Sequence, residues 1–593
     1  MDRAVKGLMQ LKKPVEEASY IVFTDGSKYY AKNGDTGVIE FVDTDISNLL
    51  QNVINTLYIR YGGGRIFIKR GVYYPTKTIS IPDGINLIIE GEGNNTVFKY
   101  TSKFILFLHR NDTSPTWSSV NIFRNFKVDR SGSGNNNTDI FSITYARFVK
   151  FENIEIVDDY REVDGDAGIS GYNNIVTVAE NCRVYNKSYG IWLFSLLTIL
   201  RGNYVENTAK VGIAGAGLLP QNFKLPSGFS PGGLTVIEDN VCVDCGRIDE
   251  AIAVDYGSEA SSTYGVGIIR NNRIMTKNYT TRNMITGVNV DKIIVENNEL
   301  VGTVSHMSIN IDGNKGSYSC IRNNVINVTI SNTDQYTISD NHETIVFEGN
   351  RINITYQNIS SNVSAIVWTF GMKVFIRNNR VSMSLPSGIR LFRFLSPDMY
   401  GTDSSPSFLV VEGNYLELVS GAGVDMGVRV FETQSYSTAR PLAIVKDNLV
   451  FTPQINDVVN ISLWGNVEYA VVENNMASVE PSSAYIGTWT SASSATIYIH
   501  ADKPVKRYTS AITVVYMKRN NGVATFSGDD STTQFKIAHG LVSTPSKIQV
   551  TPGSSDAKGS FYVTADSTYI YVNYATAPPA GTNNIVLYWY AEV

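Results

Sequence analysis

Little in this chain of 593 residues serves a disulfide-stapled, nucleic-acid-binding or membrane-spanning protein. Cysteine occurs only four times, at Cys182, Cys242, Cys245 and Cys320, which is too sparse for a disulfide framework. Cys242 and Cys245 have CxxC spacing but no second pair and no neighbouring histidine. Buried thiols are expected there, not a redox or zinc site. Charged residues make up 18%, and the net charge is −5. That balance excludes the basic face that phosphate contacts require, so no nucleic-acid partner is expected. No run approaches the roughly 18 apolar residues of a membrane span, and the stretch from Met1 to Gln10 has no apolar signal core. Neither membrane insertion nor classical secretion is expected.

What the chain has in quantity is one short phrase. An apolar run leads to a charged residue, then Asn, Gly or Asp, then Asn. Examples are Val295-Glu296-Asn297-Asn298, Ile321-Arg322-Asn323-Asn324, Phe347-Glu348-Gly349-Asn350 and Val445-Lys446-Asp447-Asn448. Its last residue recurs as Asn203, Asn240, Asn272, Asn298, Asn324, Asn350, Asn379, Asn414, Asn448 and Asn475. A period in the twenties to thirties, with strand-like phrases and no helical pattern between them, is the pattern of a stacked β-solenoid. The residue after the charge is of a type that tolerates positive φ, so a tight left-handed bend is expected there. The following Asn then points inward, where stacked Asn side chains can form a hydrogen-bonded ladder. Three earlier coils put Phe126, Ile154 and Cys182 at that inward site, so the ladder is expected to begin at Asn203.

Residues 1–42 read as a leader, with a hairpin around Asp25 and Gly26. A helix is expected over about 45–58, because Ile46, Leu49, Leu50, Val53, Ile54 and Leu57 fall on one helical face behind the N-cap candidates Thr44 and Asp45. Short strands follow Gly62 to Gly64, Gly71 to Tyr73 and Gly91 to Gly93. That order resembles the opening of the pectate-lyase-like superfamily and, within it, viral tailspikes and depolymerases. The resemblance covers roughly residues 40–480. It implies an all-β fold: a right-handed parallel β-helix with an N-terminal capping helix, here placed over 43–500. Residues 501–593 carry short alternating strands broken by Gly, Pro and Asn, as in a small antiparallel β-sandwich. Through Ser527 to Asp529, Ile537 to Gly540 and Pro578 to Asn584, this module resembles those ending structural proteins of phages and archaeal viruses. The resemblance implies a virion surface location, other virion proteins as partners and, by likeness to tailspikes, a homotrimer.

The repeat is also a ruler. Regular ladder steps are 26 residues, whereas the steps to Asn240, Asn272, Asn414 and Asn448 are 37, 32, 35 and 34. The extra residues lie at 217–233, 256–264, 395–407 and 432–441, always before the strand that leads to the Asn phrase. Sharing a phase, they must emerge along one edge. They carry Phe223, Phe229, Tyr256, Tyr264, Tyr400 and Tyr436, aromatics suited to stacking on sugars. Glycoside hydrolysis needs paired carboxylates, and two acidic clusters qualify. One holds Asp158, Asp159, Glu162, Asp164 and Asp166; the preferred one holds Asp249, Glu250, Asp255 and Glu259, with Arg247 nearby. The Gly-His-Gly of a polygalacturonase-like site is missing, and no metal or cofactor is expected. The leading reading is a spike that binds a host-surface polysaccharide or glycoprotein. The alternatives are a glycoside hydrolase or polysaccharide lyase on the same scaffold and, behind it, a cellular surface adhesin.

Overall fold

A computed structural model describes residues 18–593 except 111–114, 133–137, 160–165, 218–231, 257–263, 314–316, 331–336, 400–406, 433–441, 453–454, 466, 480–483, 491–494 and 504. The chain forms two compact units, one ending at Ile359 and one beginning at Ser360.

In the first unit, strands Tyr20–Thr24 and Tyr29–Asn33 pair antiparallel around a turn. Gly26 takes φ 93° in that turn, and the Asp25 carboxylate accepts from the Ser27 and Lys28 amides. Residues expected as a separate leader thus join the solenoid, because Tyr20–Thr24 also pairs in parallel with Gly63–Ile68. Helix α1 spans Ile46–Tyr61, with the Asp45 side chain accepting from the Ser47 amide and Gly62 closing it at φ 67°. The apolar face anticipated from the sequence is buried in full: Ile46, Leu49, Leu50, Val53, Ile54 and Leu57. Each such side chain contributes roughly 1.5–3 kcal/mol when removed from water. The helix packs against the first coil, while the edge of Gly63–Ile68, which could otherwise recruit another chain, is paired by Tyr20–Thr24.

Each coil contributes to three parallel sheets. Sheet 1 leads into the Asn turn, sheet 2 leaves it, and sheet 3 returns to sheet 1 of the next coil. A typical coil runs Tyr264–Arg270, Arg273–Met275 and Asn283–Val288, and then enters Lys292–Glu296. Equivalent residues stack coil on coil, with Ile268 opposite Ile294, Ile274 opposite Leu300 and Ile285 opposite Ile309. Such connections between parallel strands run right-handed, which gives the right-handed parallel β-helix. At the corner between sheets 1 and 2 the expected left-handed residue is present at every step. Gly202, Asp239, Asn271, Asn297, Asn323 and Gly349 have φ between 55° and 66°. The next Asn turns inward: within this unit Asn203, Asn240, Asn272, Asn298, Asn324 and Asn350 are joined side chain to side chain at 2.9–3.0 Å. Before the ladder begins, the interior is aromatic. Phe98, Phe107, Phe123, Phe126, Phe141 and Phe151 stack or meet edge to face across successive coils.

The second unit repeats the same corner, with a ladder from Asn379 through Asn414 and Asn448 to Asn475 at 2.8–3.0 Å. Parallel coils continue through Ile512–Tyr516, which pairs with Ala495–Ala501. The antiparallel module therefore begins at Arg519, later than the expected 501. It has one sheet of Arg519–Gly528, Gly581–Glu592 and Lys547–Pro552, and another of Gln534–Ala538, Tyr569–Tyr574 and Phe561–Ala565. Phe535, Ile537, Ile570, Val572, Leu587 and Trp589 fill its core. His539 is a turn residue here: its ring accepts from the Leu541 amide and meets the Asp566 carbonyl.

Candidate functional site

The long coils place their extra residues at a single corner within each unit. In the first, 218–231 joins Val211–Ala216 to Gly232–Glu238, and 257–263 joins Glu250–Asp255 to Tyr264–Arg270. The strands on both sides of these inserts pair with each other, Ile213 with Ile252 and Gly232 with Tyr264. In the second, 400–406 and 433–441 occupy the same sheet 3-to-sheet 1 corner on neighbouring coils. Phe223, Phe229, Tyr400 and Tyr436 lie outside the described residues. Tyr264 opens a sheet 1 strand by its backbone pairing with Gly232.

Tyr256 corrects the expectation of a sugar-stacking ring. It is fully buried, and its hydroxyl meets the carbonyls of Gly233 and Val266, each at 3.2 Å. The ring occupies the space that a side chain at position 265 would need, since a Cβ on Gly265 would meet it at 2.4 Å. This tyrosine fills the interior beneath the insert corner.

Asp249, Glu250 and Asp255 lie on or beside one sheet 3 strand. Burial, followed by the charge and hydrogen bond of Asp249, pushes Glu250 up to about 8. Arg282 opposes that shift, and Asp255, at the far end of the strand, adds to it. Arg282 lies 3.6 Å from Asp249. Glu250 is therefore a proton-bearing acid near neutrality, bonded to its neighbour. A carboxyl hydrogen-bonded to its neighbour does not make the spaced pair of glycoside hydrolysis, whose acid and base stand about 5–9.5 Å apart. The Arg247 guanidinium lies over the Tyr279 ring and donates to Asn207.

The other acidic cluster is not a solvated turn. Asp158 and Asp166 are buried against Arg130 and Lys187, all four side chains without exposure. Glu162, Asp164 and, from the preferred cluster, Glu259 lie outside the described residues. Cys242 and Cys245 are free, buried thiols. Among the described residues no group of three or more His, Cys, Asp or Glu side chains is placed to hold a metal ion.

No family model and no curated protein matches the chain. Solved structures similar to it include the tailspike of Pseudomonas phage phi297, at 10% identity and a TM-score of 0.39 over 92% of this chain and 91% of that one. The tailspike of Pseudomonas phage LKA1 matches at 11% identity and a TM-score of 0.32, over 92% of each chain. The DFA-IIIase of Arthrobacter chlorophenolicus A6 matches at 14% identity and 0.33, over 68% of this chain and 90% of that one. Likeness at this level bears on neither activity nor partner.

The residues that the sequence reading passed over are the aromatics of sheet 3. Tyr189 and Trp192 meet edge to face at 4.4 Å, and Tyr172 stacks on Phe194 at 5.3 Å. Tyr189 and Trp192 cover a small apolar patch of Val211, Ala214 and Ala253 that is separate from the solenoid core. The following coils offer Ala214 and Ala253 in register with Trp192, so the ring lies over small side chains. Lys210 sits 6.0 Å from the Tyr189 ring. The signal was available: Tyr189-Gly-Ile-Trp192-Leu-Phe194 sets two aromatics at the period-2 spacing of one strand face. In the second unit, sheet 3 carries Trp368, whose indole donates to Asp398 at 2.9 Å, and Trp489 stacked on Tyr508 at 4.2 Å.

Proposed function

We propose that this chain is a virion-surface spike that binds a host-surface glycan through the aromatic face of sheet 3 and the inserts at its edge. The observation that carries the reading is the patch formed by Tyr172, Tyr189, Trp192 and Phe194 beside the insert corner. The partly exposed rings of Tyr172, Tyr189 and Trp192, with the buried Phe194 stacked on Tyr172, offer flat apolar platforms for pyranose faces, and the neighbouring Lys210 and Asp249 supply polar contacts. Homotrimerisation and attachment to other virion proteins follow from the sequence resemblance and belong to the same proposal.

A second reading, cleavage of that glycan, is favoured by one observation. Glu250 keeps a proton near neutrality, as a general acid must. Its contact with Asp249 argues against the spaced pair of a glycoside hydrolase, so binding leads.

The test is an array of bacterial and archaeal surface polysaccharides probed with the full chain. Binding to a defined polysaccharide that falls at least tenfold in Trp192→Ala, with unchanged melting, supports the spike. Binding that ignores Trp192→Ala would sink the site. New reducing ends or unsaturated products that vanish in Glu250→Gln would favour the enzyme.

A further inference from the structure

We propose that Lys187 and Asp166 join through an intramolecular amide, an isopeptide bond that ties two neighbouring coils of the first unit together. Lys187 follows the sheet 2 strand Arg183–Tyr185, and Asp166 precedes the sheet 3 strand Ala167–Glu180. The two chain segments already touch, since the Tyr189 and Ser188 amides donate to the backbone carbonyl and the Oδ1 of Asp166. Lys187 Nζ lies 2.9 Å from Asp166 Oδ2 and 2.9 Å from Asp158 Oδ2, with none of these side chains exposed. Among the described residues, the buried Oδ2 of Asp166 meets no donor other than the Lys187 amine.

The surroundings assign different work to the two carboxyls. Arg130 clamps Asp158 through Nε at 2.9 Å and Nη2 at 2.5 Å. Although burial opposes it, Asp158 is held below its ordinary value by Lys187 and Arg130. Asp166 has no guanidinium, and burial pushes it up. Burial, with Arg130 behind it, pushes Lys187 down. A third carboxyl, Asp139, accepts from Ser170 and from the Ala167 amide and is also raised, by burial. Two cations thus face three carboxyls, and Arg130 is committed to Asp158. A fully buried pocket of this kind favours the free amine and the free acid over the ion pair.

Amide formation then needs only what the pocket holds. The Lys187 amine attacks Cγ of protonated Asp166. The N–C bond forms, the C–OH bond breaks and water leaves. Asp158 takes the proton that the nitrogen sheds and returns it to the departing hydroxyl, ending as the carboxylate it was. Overall, one ammonium and one carboxylate become one amide and one water, with no oxidant, metal or cofactor consumed. Held at contact distance, the pair has the near-attack placement that makes an otherwise slow condensation unimolecular.

Intact mass spectrometry of the purified full chain tests this directly. The expected mass is lower than the sequence mass by one water, and digestion yields a branched peptide that joins the segments carrying Asp166 and Lys187. In Lys187→Arg, which keeps the charge but removes the amine nucleophile, the deficit and the branched peptide disappear. Asp158→Asn leaves the chain folded, by circular dichroism, but with the full sequence mass in most molecules. A wild-type mass equal to the sequence mass, or a one-water deficit mapped to other residues, overturns the proposal and leaves a buried ion pair.

Discussion

The corner between sheets 1 and 2 and the corner between sheets 3 and 1 belong to the same coils, yet they are built on opposite principles. At the first, every step from Asn203 onward spends the same few residues: a charge outside, a left-handed residue at the bend, an Asn within. At the second, the chain varies freely, from a direct turn to the inserts 218–231 and 433–441. The difference is one of accounting for polar groups. The inward Asn answers for buried backbone: Asn298 Oδ1 accepts from the amide and side chain of Asn272, while its Nδ2 donates to the Ile269 carbonyl and to Asn324. At the insert corner the buried backbone is answered case by case, by Asn174 in one coil and the Tyr256 hydroxyl in another, and the length of the connection varies. Constancy marks where the fold is held, and variation marks where recognition can be built.

Four substitutions, and a fifth as a control, press on that contrast. Asn298→Ala removes four hydrogen bonds from a site that is 1% exposed. Because unsatisfied buried groups cost about 1–3 kcal/mol each, the loss should reach about 4 kcal/mol, read by chemical denaturation. A loss under about 1 kcal/mol would mean the ladder is decoration. Gly349→Ala strikes the bend itself, where φ is 66° and a new Cβ would meet the Asn323 side chain at 2.5 Å. The left-handed conformation alone costs roughly 1–2 kcal/mol. The same substitution at Gly388, where φ is 80° but nothing lies within 4 Å, should lack the contact penalty.

The third concerns pH. Glu250 binds its proton more tightly folded than unfolded, its value rising from 4.5 to about 8. Between those values the folded state holds the extra proton, so stability must fall as pH rises through the window and level off above it. Glu250→Gln, which mimics the protonated form, should melt at nearly constant temperature from pH 5 to pH 8.5 relative to wild type. Parallel curves for the two proteins would remove the basis for an acid at this position. Smallest is Arg322→Ala, which breaks a partly exposed pair with Glu296 at 2.6 Å. Surface pairs contribute about 0–1 kcal/mol, so a change in melting near the limit of detection is expected.

The corner that holds the fold was legible in the sequence because its chemistry is local. Left-handed φ restricts the bend to Asn, Gly or Asp, and the inward site admits a side chain that can both donate and accept. The helix face from Ile46 to Leu57 was legible for the same reason, through its period. Tyr256 was misjudged because an aromatic next to an insert reads the same whether it faces water or fills the space left by Gly265. The sheet 3 aromatics were hidden differently. Only the coil-to-coil register, which puts Ala214 and Ala253 beside Trp192, shows that the ring roofs a patch outside the solenoid core. Lys187 meeting Asp158 and Asp166 likewise depends on which turns are stacked.

The outward charges at the end of sheet 1 carry one more consequence. From Glu180 onward they read in register Glu180, Arg201, Glu238, Arg270, Glu296, Arg322 and Glu348, with opposite signs on every adjacent pair, whereas the step before sets Glu152 against Glu180 with Lys150 between them. Near-identical rungs invite a growing stack to miscount, looping one out and closing on the next. Here any such skip would set Arg201 against Arg270 or Glu238 against Glu296, like sign on like. Each pair is weak on its own, but the row works as a parity check on threading: a correctly counted stack satisfies every rung, and a stack that drops one meets repulsion where it closes.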